Sequence, residues 1–330
     1  MSADVLSDVL RAVRLTGAVF FEMEARSPWV VESLAKDLVL PKILPGGQHL
    51  IAFHVITEGG CVAHLIDEEP VALAAGNVIV FTRGDAHRLA SAPGLSAKAT
   101  PRQVIDEATS SPLPFFMKFG GDGPVSAKFV CGYLACDAHP FNPLIEHLPP
   151  TITAGDPHEG NMGWLTQFIR LATAESANKR PGSESVLAKL SELMFVEVVR
   201  RYLDTLPREQ TGWLSGLRDP TIGKALSLLH GAPARNWTIE DIAKDVGLSR
   251  SAFAERFTEL LGVPPMQYLA KWRMQVAAGL LRGGNLNIAA VAAETGYGSE
   301  AAFSRAFKKV TGMSPSLWRG RPQPADPPLR

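Results

Sequence analysis

Cysteine is scarce in this chain: Cys61, Cys131 and Cys136 are the only three among 330 residues. An odd number cannot close into a disulfide framework, and a chain of this length buries a core without one. The usage fits a protein of the reducing cytoplasm. Long apolar runs are missing too. No stretch approaches the roughly 20 residues that a membrane helix needs, so no membrane partner is expected. The opening MSADVLSDVLRAVRLTG has no basic start. Val5, Leu6, Val9, Leu10 and Val13 recur at helical spacing, which predicts an amphipathic helix rather than a signal peptide. No P-loop, dinucleotide fingerprint or G-x-S-x-G elbow is present, which leaves the commonest nucleotide-binding and hydrolase chemistries without support. Net charge is lacking as well, with 33 basic against 33 acidic residues. That zero conceals an asymmetry. Residues 1–217 hold 18 Lys and Arg against 24 Asp and Glu, and residues 218–330 hold 15 against 9. A basic C-terminal third is the electrostatic footprint expected for a nucleic-acid partner.

The chain divides by pattern. In residues 1–155 the segments HLIAFHVITEG, GCVAHLID, PVALAAGNVIVF and AKFVCGYLACD are short, β-branched and bounded by Gly, Pro or Asp. They predict strands of a sandwich or barrel. Residues 92–115, rich in Ala, Pro, Ser and Thr, predict a surface loop. Residues 156–212 change to helical period, with Pro181 and Gly182 between two segments. Leu187, Leu190, Met194, Val198 and Leu203 form a stripe that either packs on the first domain or makes the seam of a homodimer. Residues 213–322 are helical in pattern, and 323–330 form a tail.

The C-terminal region carries one unit twice. IEDIAKDVGLSRSAFAERF (239–257) returns as IAAVAAETGYGSEAAFSRAF (288–307). In the first copy Thr238 and Ser249 are placed to cap two helices, Gly247 makes the turn, and Phe253 and Phe257 fill the core. In the second, Gly296 makes the turn, Ser299 caps, Phe303 and Phe307 fill the core, and Gly298 lengthens the turn by one residue. Each copy reads as a helix-turn-helix. The helix between them, PPMQYLAKWRMQVAAGLLR, spans about 27 Å at 1.5 Å per residue. The two recognition helices can then lie about 34 Å apart, one turn of duplex DNA.

At these residues the sequence resembles the AraC/XylS transcriptional regulators. AAVAAETGYGSEAAFSRAFKKVTGMSPSLWR matches that family's signature in the Gly-Tyr turn, the Phe-Ser-Arg-x-Phe-Lys helix and the Gly-x-Ser-Pro-x-x-Trp-Arg close. The resemblance implies double-stranded DNA and RNA polymerase as partners, and activation of transcription. The outward face of the first recognition helix carries Arg250, Ser251, Ala254 and Glu255; that of the second carries Glu300, Ala301, Ser304 and Arg305. Ser251, Ala254, Glu255 and all four residues of the second helix fall on the family's base-reading positions. Arg305 can grip guanine bidentately, and Glu255 can accept from a cytosine amino group. Lys271, Arg273, Lys308, Lys309 and Arg319 are expected as phosphate contacts.

The N-terminal region resembles the cupin-type sensor half of such regulators. Gly76, Thr82, Gly84 and His87 follow a cupin motif, with Thr in place of Pro. The expected fold class is therefore α+β: a cupin-like β-barrel, a helical linker and an all-α domain with two helix-turn-helix motifs. His49, His54, His64 and His87 are candidates for an effector pocket, and Cys131 and Cys136 for redox chemistry. A divalent metal would need three or four ligands, and the His-x-His pair of a cupin enzyme is missing. The leading reading is a non-enzymatic, dimeric regulator that senses a small molecule, metal or redox signal. A cupin metalloenzyme fused to DNA-binding helices and a ligand-insensitive dimeric DNA binder are the alternatives.

Overall fold

The computed structural model describes residues 4–43, 47–96, 115–155, 163–178, 180–207 and 210–321. Most of the expected loop at 92–115, and the tail 323–330, lie outside the described residues. The described residues form two compact units. One gathers Leu15–Cys136 with Pro149–Asp204, and the other gathers Met1–Arg14, Asp137–Leu148 and Thr205–Gln323. This grouping differs from a cut at residue 155, because α1 (Val5–Ala12) and α3 (Pro143–His147) belong with the C-terminal helices.

The first unit is a half-barrel. Its strands are β1 (Thr16–Arg26), β2 (Val30–Ser33), β3 (His49–Leu65), β4 (Val71–Ala74), β5 (Asn77–Phe81), β6 (His87–Ala90), β7 (Phe115–Gly120), β8 (Val125–Cys136) and β9 (Thr151–Gly155). The helix α2 (Lys36–Ile43) lies between β2 and β3. The main path runs β2-β6-β3-β8-β1-β7, with β4 and β5 also on β3 and β9 on β5. Only β1 with β7 is parallel among these pairs. Strand β3 is buried on both faces from His49 to Ile56. Leu50, Ala52 and Ile56 join Phe21, Met23, Phe81, Phe129 and Cys131 in the barrel core. The alternate residues Ile51, Phe53 and Val55 are equally buried. Two helices, α4 (Trp164–Asn178) and α5 (Ser183–Thr205), complete the unit. Helix α5 passes so close to β1 that a Cβ on Gly17 would lie 2.3 Å from the Ala188 carbonyl oxygen. Leu187, Met194 and Val198 of the expected stripe are buried within the protomer, whereas Leu171, Val186 and Leu193 are exposed.

The second unit contains α6 (Trp213–Arg218), α7 (Pro220–Gly231), α8 (Ile239–Val246), α9 (Arg250–Leu261), α10 (Pro265–Gly283), α11 (Ile288–Glu294), α12 (Glu300–Thr311) and α13 (Pro315–Arg319). The central helix α10 holds the two chain segments from elsewhere. Gln275, fully buried, accepts from the Phe141 N–H at 3.1 Å and donates to the Ala12 carbonyl at 2.9 Å. Asp137, 3% exposed, receives Arg14 Nε at 3.1 Å and also pairs with Arg282 of α10. Buried backbone groups and a buried carboxylate must find partners, and α10 supplies them.

Candidate nucleic-acid interface and sensor cavity

Local chemistry sets both helix-turn-helix units. Thr238 and Asp241 form a reciprocal capping box at the start of α8. Ser249 caps α9, Asn287 caps α11 and Ser299 caps α12, each accepting from the backbone N–H three residues on. The exit from α8 closes with Leu248 N–H on the Ala243 carbonyl and Gly247 N–H on Lys244. The exit from α11 repeats it, with Tyr297 N–H on Ala292 and Gly296 N–H on Ala293. Gly247 (φ 78°) and Gly296 (φ 76°) supply the left-handed residue that this closure needs. The additional Gly298 comes after the closure, exposed, with nothing within 4 Å of a Cβ. Both turns are therefore the same turn, and the insertion leaves the packing of Phe253 with Phe257 and of Phe303 with Phe307 alike.

With those faces inward, the expected base-reading residues point to solvent. Ser251, Glu255, Glu300, Ala301 and Arg305 are exposed, and Ala254 and Ser304 are half-buried. Arg250 is exposed and pairs with Glu240 at 2.8 Å. Arg256, beside them on α9, holds Asp219 at 2.6 Å, and Asp219 also caps α7. That pair fixes α9 against α7.

The five expected phosphate contacts separate. Lys308 and Lys309 are exposed on α12. Lys271 is half-buried, with its ammonium 5.3 Å from the Phe141 ring centroid. Arg273 and Arg319 stand elsewhere. Arg273 donates to the carbonyls of Pro233 at 2.8 Å and Arg235 at 2.9 Å, and its guanidinium packs against Gly296. Arg319 donates to the Leu286 carbonyl at 2.6 Å. Both serve backbone oxygens inside the unit. Arg273 thereby joins the loop before the first motif to the turn of the second, and so positions one relative to the other.

In the half-barrel the four candidate histidines also divide. His49 binds the Thr82 carbonyl and His64 the Leu65 carbonyl, both at 2.6 Å. His54 and His87 come together, Nε2 to Nε2 at 2.8 Å, and His54 Nδ1 lies 2.6 Å from Cys131 Sγ. Register explains this: His54 on β3 is the direct cross-strand partner of Cys131 on β8. His87 Nδ1 lies 2.9 Å from the Asp85 carbonyl, which only accepts. Nδ1 of His87 therefore carries the proton and its Nε2 accepts from His54 Nε2–H. His54 Nδ1 is then the acceptor for the Cys131 thiol. The chain of donors runs one way, from thiol to backbone.

Burial holds every member neutral. It lowers the pKa of His54 well below the usual imidazole value, with His87 adding to the effect, and lowers His87 to about 4. It raises the Cys131 thiol well above its ordinary value and Cys61 to about 12. The three side chains border a cavity of about 40 Å³, walled also by Phe21, Met23, Leu89 and Tyr133. Met23 and Tyr133 carried no motif in the sequence; alternation along β1 and β8 is the signal that would have found them. Glu32 reaches the same wall, but its carboxylate takes Arg88 Nε at 2.8 Å. Cys136 is buried and does not border the cavity, and no disulfide forms among the described residues. Among those residues no three His, Cys, Asp or Glu side chains gather as a metal site.

In sequence, residues 4–204 match a family model described as a cupin, and residues 242–321 match one described as a helix-turn-helix domain. The chain is 32% identical over 324 residues to an AraC-like transcription regulator of Streptomyces antibioticus, covering 97% of this chain and 100% of that one. It is 26% identical to the helix-turn-helix-type transcriptional regulator AlkR of Acinetobacter baylyi, covering 96% and 99%. Among solved structures, the DNA-binding domain of AdpA, a global transcriptional factor in complex with a target DNA, is 28% identical, with a TM-score of 0.29 over 31% of this chain and 90% of that one.

Proposed function

The chain belongs to the AraC/XylS-type helix-turn-helix transcriptional regulators with an N-terminal cupin-like domain, and on that premise we propose that a small signal entering the half-barrel cavity alters how the two motifs engage an operator. The observation that carries the sensing half is the built cavity. A hydrogen-bonded thiol and imidazole chain faces apolar walls in the interior of the cupin-like unit. A neutral polar chain in an apolar enclosure is an orienting device of the kind found in ligand sites.

On the DNA side, the bases are read by Ser251, Ala254, Glu255, Glu300, Ala301, Ser304 and Arg305, with Arg250 beside them. Lys308 and Lys309 meet phosphates. The free basic charge lies on α12, since Arg250 and Arg256 of α9 are each paired to an acid. The second motif therefore anchors the complex, and the first adds discrimination through Glu255. Dimerisation uses the exposed Leu171, Val186 and Leu193, and RNA polymerase is the downstream partner, as in activators of this family.

The test is selection of bound fragments from random DNA by the full-length protein, followed by binding titrations with the cavity narrowed by Val31→Phe. Specific binding that a cell extract's small-molecule fraction changes in the native protein, and leaves unchanged in the variant, supports the reading. Specific binding indifferent to every fraction in both proteins would remove the sensing half and leave a constitutive DNA binder.

A further inference from the structure

The cavity holds two sulfurs as well as two imidazoles. Cys131 Sγ lies 3.9 Å from Met23 Sδ and 2.6 Å from His54 Nδ1. Carboxylate is missing from this set, because Glu32 is committed to Arg88. The donors are one thiol, one thioether and one imidazole nitrogen whose lone pair is aimed at the thiol by the hydrogen bonds behind it. Such soft donors select soft ions.

We propose that Cys131, Met23 and His54 form a binding site for a single monovalent soft metal ion, copper(I), and that this ion is the signal read by the half-barrel. The proposal deepens the sensing reading above and rests on it. Two sulfurs bound at about 2.3 Å to one ion stand about 3.8–4.0 Å apart at tetrahedral or trigonal angles, and the two here are already 3.9 Å apart. The Sγ and Nδ1 atoms must move apart by about 1 Å to accept bonds near 2.3 and 2.0 Å, and the adjoining cavity gives them room.

Charge decides the oxidation state. The ion enters as Cu⁺ and the thiol leaves as thiolate, releasing one proton to solvent: Cu⁺ + R–SH → Cu–SR + H⁺. The bound group is neutral and belongs in an apolar enclosure. A divalent ion on the same ligands would bury a net positive charge with no fourth donor. This is the reason that the divalent cupin metal does not fit here. His87 acts one step back: it accepts from His54 Nε2–H and is itself held on the Asp85 carbonyl, which fixes the tautomer that offers Nδ1 to the ion.

The test uses full-length, reduced protein prepared without oxygen. Copper(I) is titrated in competition with bathocuproine disulfonate, and specific DNA binding is measured on the same samples. The expected result is one copper per chain, abolished by Cys131→Ala, weakened at least tenfold by Met23→Leu, and weakened about 10–100-fold by His87→Phe, the range for loss of an outer-shell partner. Cys61→Ala and Cys136→Ala should leave it unchanged, zinc(II) should not compete, and X-ray absorption should show two sulfurs and one nitrogen. Copper retained in full by Met23→Leu, binding that follows Cys61 or Cys136, or no stoichiometric copper in protein that still binds DNA would overturn the site. The last of these outcomes would remove copper as the signal and leave the sensing reading to its own test with small-molecule fractions and Val31→Phe, so the two readings fail separately.

Discussion

Three glycines in two equivalent turns respond differently to the same added methyl group. Gly247 has φ 78° and open space around a Cβ. An alanine there meets only the left-handed penalty, about 1–2 kcal/mol. Gly296 has φ 76°, and a Cβ would also lie 2.6 Å from the Ala234 carbonyl oxygen and 2.9 Å from Arg273 Nη2. The oxygen belongs to backbone, and the arginine is held by two carbonyls, so neither moves freely. Forced displacement in a packed site adds about 1–3 kcal/mol, for a total of about 2–5 kcal/mol at Gly296. Gly298 has neither a positive φ nor a neighbour within 4 Å, and Gly298→Ala should change little. Urea denaturation of the full chain reads the order through tryptophan fluorescence, since Trp213, Trp237, Trp272 and Trp318 all lie in the helical unit. An equal cost at Gly247 and Gly296 would refute the tether between Arg273 and the second turn. A large cost at Gly298 would refute the equivalence of the two turns.

Arg305→Ala should cost about 1–3 kcal/mol on the selected site and little on random DNA, while Lys308→Ala should weaken both and lower the salt slope by about 1, as titrations at several salt concentrations will show. Gln275→Leu strips partners from the buried Phe141 N–H and the Ala12 carbonyl; at about 1–3 kcal/mol per unsatisfied group, it should destabilise the helical unit strongly in the same denaturation assay. Burial lowers His230 to about 3, where it stacks on Trp272 and meets the Tyr268 hydroxyl. The unfolded chain then takes up a proton near pH 6.5 that the folded chain refuses, so stability is full above pH 6.5 and falls by about 1.4 kcal/mol per unit down towards pH 3. His230→Phe should flatten that slope, and an unchanged slope would place the acid sensitivity elsewhere.

How far the sequence displayed this molecule depends on the range of the interaction concerned. Caps and turn glycines act over three or four residues, so Thr238, Ser249 and Ser299 were legible directly. The outward faces of α9 and α12 followed from the placement of Phe253, Phe257, Phe303 and Phe307. Arg273 was harder. Its residue type suggested phosphate, and the carbonyls it meets within the unit lie about forty positions away in a loop without a pattern. The same holds in the half-barrel. His87 stood out through its motif, but its union with His54 and Cys131 depends on strand register, which no local signal states. The stripe on α5 showed its period plainly, while period alone could not tell a protomer core from a seam between copies. Nor could any local pattern send α1 and α3 to the helical unit, since Gln275 and Asp137 hold them through contacts more than a hundred residues apart.

Two linked motifs that read two neighbouring stretches of one duplex should each leave a separate imprint on it. Methylation interference with the full-length protein on its selected DNA reads those imprints. Two patches of interference are expected in the major groove, centred about 10 base pairs apart on one face of the duplex, with the patch under α12 lost in Arg305→Ala. A single patch, or interference spread evenly along the fragment, would mean that the two motifs do not read the duplex side by side.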